Sequence, residues 1–185
     1  MSEEFNLAAR LTARLANLGQ DYCVFTRSER EFAATVNAAR EVLTGEPATL
    51  VPQAPAALVG VLNLRGEVLP LVQLDSLLGI PTRSYTAGDQ IVVLSSGDID
   101  IGLVVDRVRD VRAIPPAEIA EYPSGSPASH LCRGYWPSPT GLVSVLDPAK
   151  VIAAAVRAVS QRFQQRPSGQ DTTAPAASSL SPSHE

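Results

Sequence analysis

Apolar residues in the middle of this chain come in short runs, not at helical spacing. Val59 to Leu64 and Val68 to Leu74 are β-branched and leucine-rich, each of strand length, and they are parted where Gly66 can take the φ > 0 of a tight turn. The pair predicts a hairpin with Arg65 at its tip. Ile91 to Leu94 and the segment from Ile101 to Val111 predict further strands, with a turn at Gly97 and Asp98, and Leu142 to Leu146 predicts the last. No helix-period stretch separates these strands, so the centre reads as all-β, a sandwich or barrel and not a parallel α/β sheet.

Helical patterning is confined to the ends. Leu7, Leu11, Leu15 and Leu18 predict an amphipathic helix over residues 1–19, ended by Gly19 and expected to pack on the domain's own surface, with a partner-binding helix as the second reading. Asp147-Pro148 supplies an N-cap with proline at the first helical position, and Ala149 to Phe163 reads as a closing helix. From Pro167 onward Pro, Ser, Thr, Ala and Gly dominate, with almost nothing to bury, which is the composition of a disordered tail. The expected organisation is therefore an extension over 1–19, a domain over 20–158, and a helix end with tail over 159–185. Gly134, Pro137 and Pro139 are expected to break the chain before the last strand, leaving Tyr135 and Trp136 in a loop, either an exposed aromatic anchor for a partner or, the favoured reading, a lid on the second core.

Charge and length narrow the function classes. A net charge of −4 over 185 residues argues against nucleic acid as the main partner, and Arg107, Arg109 and Arg112, interleaved with Asp106 and Asp110, read as a solvated strand face. No apolar run approaches the ~20 residues that span a bilayer. Glu3 and Glu4 stand where a signal peptide needs positive charge, so a cytoplasmic protein without direct membrane insertion is expected. Cys23 and Cys132 fit no C-x-x-C spacing and are expected as free thiols.

Catalytic chemistry finds little support. Lys150 is the only lysine and no glycine-rich loop precedes it, which leaves no P-loop and no Schiff-base site. His130-x-Cys132 is the remaining candidate, because i and i+2 on a strand face the same way and could form a thiolate pair or two metal ligands. A small thiol- or metal-dependent β-barrel enzyme is the alternative reading from that pair. Arg65 suits recognition better, since a guanidinium never deprotonates near neutrality but pairs well with a carboxylate.

Three blocks carry a family resemblance: Gly60-Val-Leu-Asn-Leu-Arg65-Gly66-Glu-Val-Leu-Pro70-Leu-Val, Val36 to Val42, and Gly102 to Val111. In order and spacing, from about Tyr22 to about Ala155, they resemble the chemotaxis coupling protein family, the CheW-like domain. The resemblance implies two small five-stranded SH3-like β-barrels packed together, with a groove between them. It implies a non-catalytic adaptor that needs no cofactor and joins the cytoplasmic helical tip of chemoreceptors to the regulatory domain of a CheA-type histidine kinase. The partner-binding residues it points to are Ala39, Glu41, Val42, Gly60, Val61, Asn63, Arg65 and Gly66, with Glu41 and Arg65 near one another and Gly60 admitting a close backbone approach. Gln73 stands where the family usually has aspartate, and Ala39 where a larger aliphatic is common. Those departures favour, as an alternative, an adaptor of a divergent system driving pilus-based or surface motility.

Overall fold

The structure, a computed structural model, describes residues 20–164 apart from 45, 87 and 124. The expected N-terminal helix and C-terminal tail lie outside the described residues.

Among the described residues, ten strands form two five-stranded sheets. The first contains β1 (Gln20–Arg27), β2 (Arg30–Thr35), β8 (Arg107–Ile114), β9 (Cys132–Ser138) and β10 (Gly141–Leu146), in the order β8-β1-β2-β10-β9. The second contains β3 (Ala39–Thr44), β4 (Leu58–Leu64), β5 (Glu67–Gln73), β6 (Gln90–Ser96) and β7 (Ile99–Val105), in the order β3-β6-β7-β5-β4. We call them barrels A and B; together they are the two SH3-like barrels expected.

The sheets share one connectivity. In each, a central hairpin (β1–β2 or β6–β7) is flanked by an antiparallel strand (β8 or β3) on one side. On the other side its second strand pairs in parallel with β10 or β5, which carries its own hairpin mate. Along the chain, barrel B runs β3 to β7 without interruption. Barrel A runs β8, β9, β10, β1, β2 in equivalent order, so it is a circular permutation with barrel B inserted after β2.

Burial explains why the sequence shows apolar runs instead of strict alternation. Tyr22 and Val24 face the core of barrel A, while Cys23 and Phe25 face a third cluster between the barrels, so β1 is covered on both sides. β6 does the same in barrel B, with Ile91 and Val93 in its own core and Val92 and Leu94 in the shared one. Helix α2 (Pro148–Gln164) closes this shared cluster with Val151, Ile152, Ala154 and Ala155. Its N-terminus is capped as expected, the Lys150 N–H donating to Asp147 Oδ1 at 3.2 Å.

Three expectations need correction. Tyr135 and Trp136 lie within strand β9, not in a loop; Pro137 fits because β9 is an edge strand, where a missing N–H is tolerated. Leu74 does not extend its strand but opens a short helix, α1 (Leu74–Leu78), whose five residues are too few to leave a periodic signal. The Ile101 to Val111 segment is two strands, broken at Asp106 where the chain leaves barrel B for barrel A. Trp136 nonetheless acts as the expected lid, packed half-buried on the core of barrel A.

Candidate functional site

β4 and β5 are joined by the two residues Arg65 and Gly66, both left-handed at φ 55° and 93°. Two positive φ values in a two-residue hairpin loop are those of a type I′ turn, whose twist matches the flanking strands. Glycine takes this conformation freely, whereas arginine there is strained. Asn63 supports the turn, its Oδ1 accepting the Gly66 N–H at 2.8 Å. Asn63 and Gly66 therefore build the tip that Arg65 occupies.

Glu41 reaches the tip from the opposite edge of the sheet. β3 and β4 are the two ends of the strand order, and sheet curvature brings them together so that Arg65 Nη2 donates to Glu41 Oε2 at 2.8 Å. A bulge at Arg40 shifts the register between Ala39 and Glu41, and beyond it Glu41 pairs with Val93 of the barrel B core. Glu41 thus stands at the rim of the barrel with its side chain 27% exposed, while Arg65 is 78% exposed. An exposed pair of this kind contributes ~0–1 kcal/mol, too little to explain a strained arginine as a stabilising device. What it does is hold a guanidinium, with most of its donors free, at a fixed place on a rigid element.

The other expected residues divide between surface and scaffold. Val42 is exposed on β3, as is Val68 on β5 beside the tip; Ala39 and Val61 are half-buried. Ala39 packs against the shared cluster. Gly60 is buried, and its close backbone approach is internal: a Cβ there would stand 2.5 Å from the Thr49 carbonyl oxygen. Thr49 and Val61 exchange two backbone hydrogen bonds of 2.8 and 2.9 Å across that gap. The space in front of Gly60 is filled by the chain itself. The structure brings Glu41 and Arg65 into contact, while Val42 follows Glu41 on β3 and Val68 lies three residues beyond Arg65, both exposed.

His130 and Cys132 do not form a site. His130 is exposed in a 3₁₀ turn with Nε2 3.0 Å from the Leu77 carbonyl, whereas Cys132 begins β9 and is buried. Burial pushes the Cys132 thiol up to about 12 against the opposing pull of Lys150, the reverse of an activated nucleophile. The expected i, i+2 alignment fails because the two residues do not share a strand. Among the described residues, no three His, Cys, Asp or Glu side chains group so as to hold a metal ion. Among the same residues no helix is long and apolar enough to cross a membrane.

Sequence reasoning missed a buried ionic cluster. Arg27, at the end of β1, donates from Nε to Asp75 Oδ2 at 2.6 Å, with both side chains almost fully buried. Gln73, the departure from the family pattern, is buried beside it and donates to the Arg83 carbonyl, the same oxygen that Arg27 Nη2 reaches. An arginine ahead of Ser28-Glu29 looks like a solvated turn residue; nothing in the sequence pattern marks it as buried.

Known proteins resemble this chain across most of its described length. A model of the CheW-like domain matches residues 21–156. "Chemotaxis protein CheW" of Rhizobium meliloti is 36% identical over 109 residues, 59% of this chain and 70% of that protein. The protein of the same description from Bacillus subtilis is 31% identical over 107 residues, 58% of this chain and 69% of the relative. Among solved structures, the scaffolding protein TtCheW from Thermoanaerobacter tengcongensis superposes with a TM-score of 0.64 at 22% identity, covering 70% of this chain and 85% of the other. That likeness is one of fold.

Proposed function

The chain belongs to the CheW-like domain family, and on that premise we propose that it is a non-catalytic adaptor of a bacterial chemosensory array. It couples the cytoplasmic helical tip of a chemoreceptor to the regulatory domain of a CheA-type histidine kinase, and it works in the cytoplasm, attached to membrane arrays through those partners. The observation that carries this reading is the strained, exposed Arg65 locked across the barrel seam by Glu41. Such a group adds little to folding but presents a directional cation, which selects partners and fixes their register. Val42 and Val68 supply apolar area beside it, so the surface offers a charged centre with a hydrophobic flank.

The mechanism is mechanical. Receptor helices lay their side chains against the face near Ala39, Glu41, Val42, Val61 and Arg65, a barrel end docks on the kinase, and a change in receptor conformation alters the relative stability of the two contacts. No bond is made or broken and no cofactor takes part. Size-exclusion chromatography with light scattering tests this directly: the full chain mixed with a receptor-tip fragment and a kinase regulatory domain is expected to co-elute with both. Elution of the chain alone from either mixture would refute the adaptor reading.

A further inference from the structure

The β1–β2 hairpin of barrel A ends in a cage built by the other barrel. Arg27 Nε donates to Asp75 Oδ2 at 2.6 Å, Ser28 Oγ donates to Asp75 Oδ1 at 3.0 Å, and the Ser28 N–H donates to Asp106 Oδ2 at 2.8 Å. Asp75 belongs to α1, which follows β5 of barrel B, and Asp106 is the residue at which the chain crosses between barrels. Arg27 Nη2 also reaches the Arg83 carbonyl at 3.3 Å, in the segment between α1 and β6. Arg83 in turn donates from Nη2 to Asp106 Oδ1 at 2.6 Å and is paired with Asp89. Every contact of the hairpin tip in this cluster therefore runs to barrel B or to the crossover.

Two features set this cluster apart from ordinary packing. Ser28 and Glu29 both hold left-handed φ values, 50° and 62°, with no glycine in the turn; the equivalent β6–β7 turn places Gly97 at φ 61°. A turn held in that region without glycine persists only where its surroundings over-determine it. The second feature is Arg27 Nη1, which is buried without a hydrogen-bond partner and stands 3.5 Å from Asp106 Oδ1. Arg27 is fully buried and the Asp75 side chain is 1% exposed, a costly arrangement that well-packed apolar residues would match or exceed in stability. What apolar residues would not supply is direction. The shared cluster between the barrels is aliphatic and aromatic, and such contacts allow sliding, whereas a charged fork seated in two carboxylates admits one orientation.

We infer that Arg27, Asp75 and Asp106 form a latch that sets the orientation of one barrel against the other, and so act as positioning residues for the face the adaptor presents to its partners. The consequence for partners rests on the adaptor reading; the consequence for barrel orientation does not. Arg83, partly exposed and bonded to Asp106, is the arm of the latch that solvent or a bound partner can reach.

The test is a distance measurement on the full chain. Spin labels are placed at Thr44→Cys on β3 and Ala113→Cys on β8, both exposed, while native Cys23 and Cys132 are buried and stay unlabelled. Pulsed electron resonance then compares this protein with one also carrying Arg27→Met and Asp75→Leu, an apolar replacement that removes both charges together. The expected result is at least a twofold broader inter-barrel distance distribution, with the melting temperature nearly unchanged and affinity for the kinase regulatory domain reduced about tenfold. Should that replacement fail to fold, Asp106→Asn keeps the shape at a partly exposed site and is expected to broaden the distribution in the same sense, less strongly. An unchanged distribution overturns the latch. A broadened one with unaltered affinity overturns its positioning role, and failure of the parent protein to bind at all would fall on the adaptor reading while the distances still decide the latch.

Discussion

Barrels A and B solve the same folding problem twice and then differ where the sheet ends meet. Each outer strand carries one bulged arginine, Arg40 on β3 and Arg109 on β8. Each hairpin carries a bulge followed by a glycine, Val59-Gly60 and Arg133-Gly134, and each glycine lies against the backbone carbonyl of an incoming segment, Thr49 or Ala120. The isolated bridges Thr49–Val61 and Ala120–Tyr135 are equivalents. At the seam this agreement stops. In barrel B, Leu43 and Leu62 close the core beneath the Glu41–Arg65 pair. In barrel A the equivalent positions are Arg112 and Trp136, with the guanidinium 5.9 Å from the ring centroid, Asp110 paired to Arg112, and Glu118 accepting the indole N–H at 2.9 Å. The tip that holds Arg65-Gly66 in barrel B is Pro139-Thr140 in barrel A. Close backbone approach is fixed by sterics and is the same in both; the seam is free to vary, and there barrel B carries an exposed ion pair where barrel A carries a cation stacked on an indole.

The largest expected effects test the shared part. Gly134→Ala and Gly60→Ala each drive a methyl into a carbonyl oxygen and should each cost about 3 kcal/mol in urea unfolding. A cost at one glycine alone would break the equivalence. Next comes the seam of barrel A: Trp136→Ala removes a half-buried lid and should cost about 2 kcal/mol, with near-ultraviolet circular dichroism reporting the loss of packing. At the tip of barrel B the effect has the opposite sign, because Arg65→Gly relieves a left-handed arginine and should raise stability by about 0.5 kcal/mol. A large fall in melting temperature for Arg65→Glu would make that residue structural instead.

The smallest effect concerns acid. Burial opposes ionisation of Asp89, but hydrogen bonds from Arg83 and Thr86 outweigh it and hold the carboxyl below the usual range. A carboxyl with a lowered folded pKa contributes stability that is complete above its unfolded value of ~4 and is lost as pH falls through the folded value. Melting temperature should therefore drop below pH ~4, and Arg83→Gln should flatten that limb relative to the parent protein.

Much of barrel B was legible because its signals are local. Val59 to Val72 forms a hairpin around a two-residue turn, and the Gly66 requirement can be read directly. The Glu41–Arg65 pair emerged from the resemblance, since no sequence rule places residues on opposite sheet edges together. Barrel A was harder: it is split by the insertion, and β9 contains a proline and a glycine that read as a break until its edge position is known. Gly60 illustrates a right rule with a wrong partner, its close approach being to Thr49. Arg27 and Asp75 escaped entirely, because a buried ion pair between elements 48 residues apart leaves no periodic trace.

Calorimetric titration of the parent protein and Arg65→Gly against a kinase regulatory domain and a receptor-tip fragment tests most directly the claim that this tip exists for recognition. Saturable binding by the parent protein is expected, with at least tenfold weaker binding to one of the two partners by the variant, although the variant melts no lower. Equal binding by both proteins, or none by either, would contradict it.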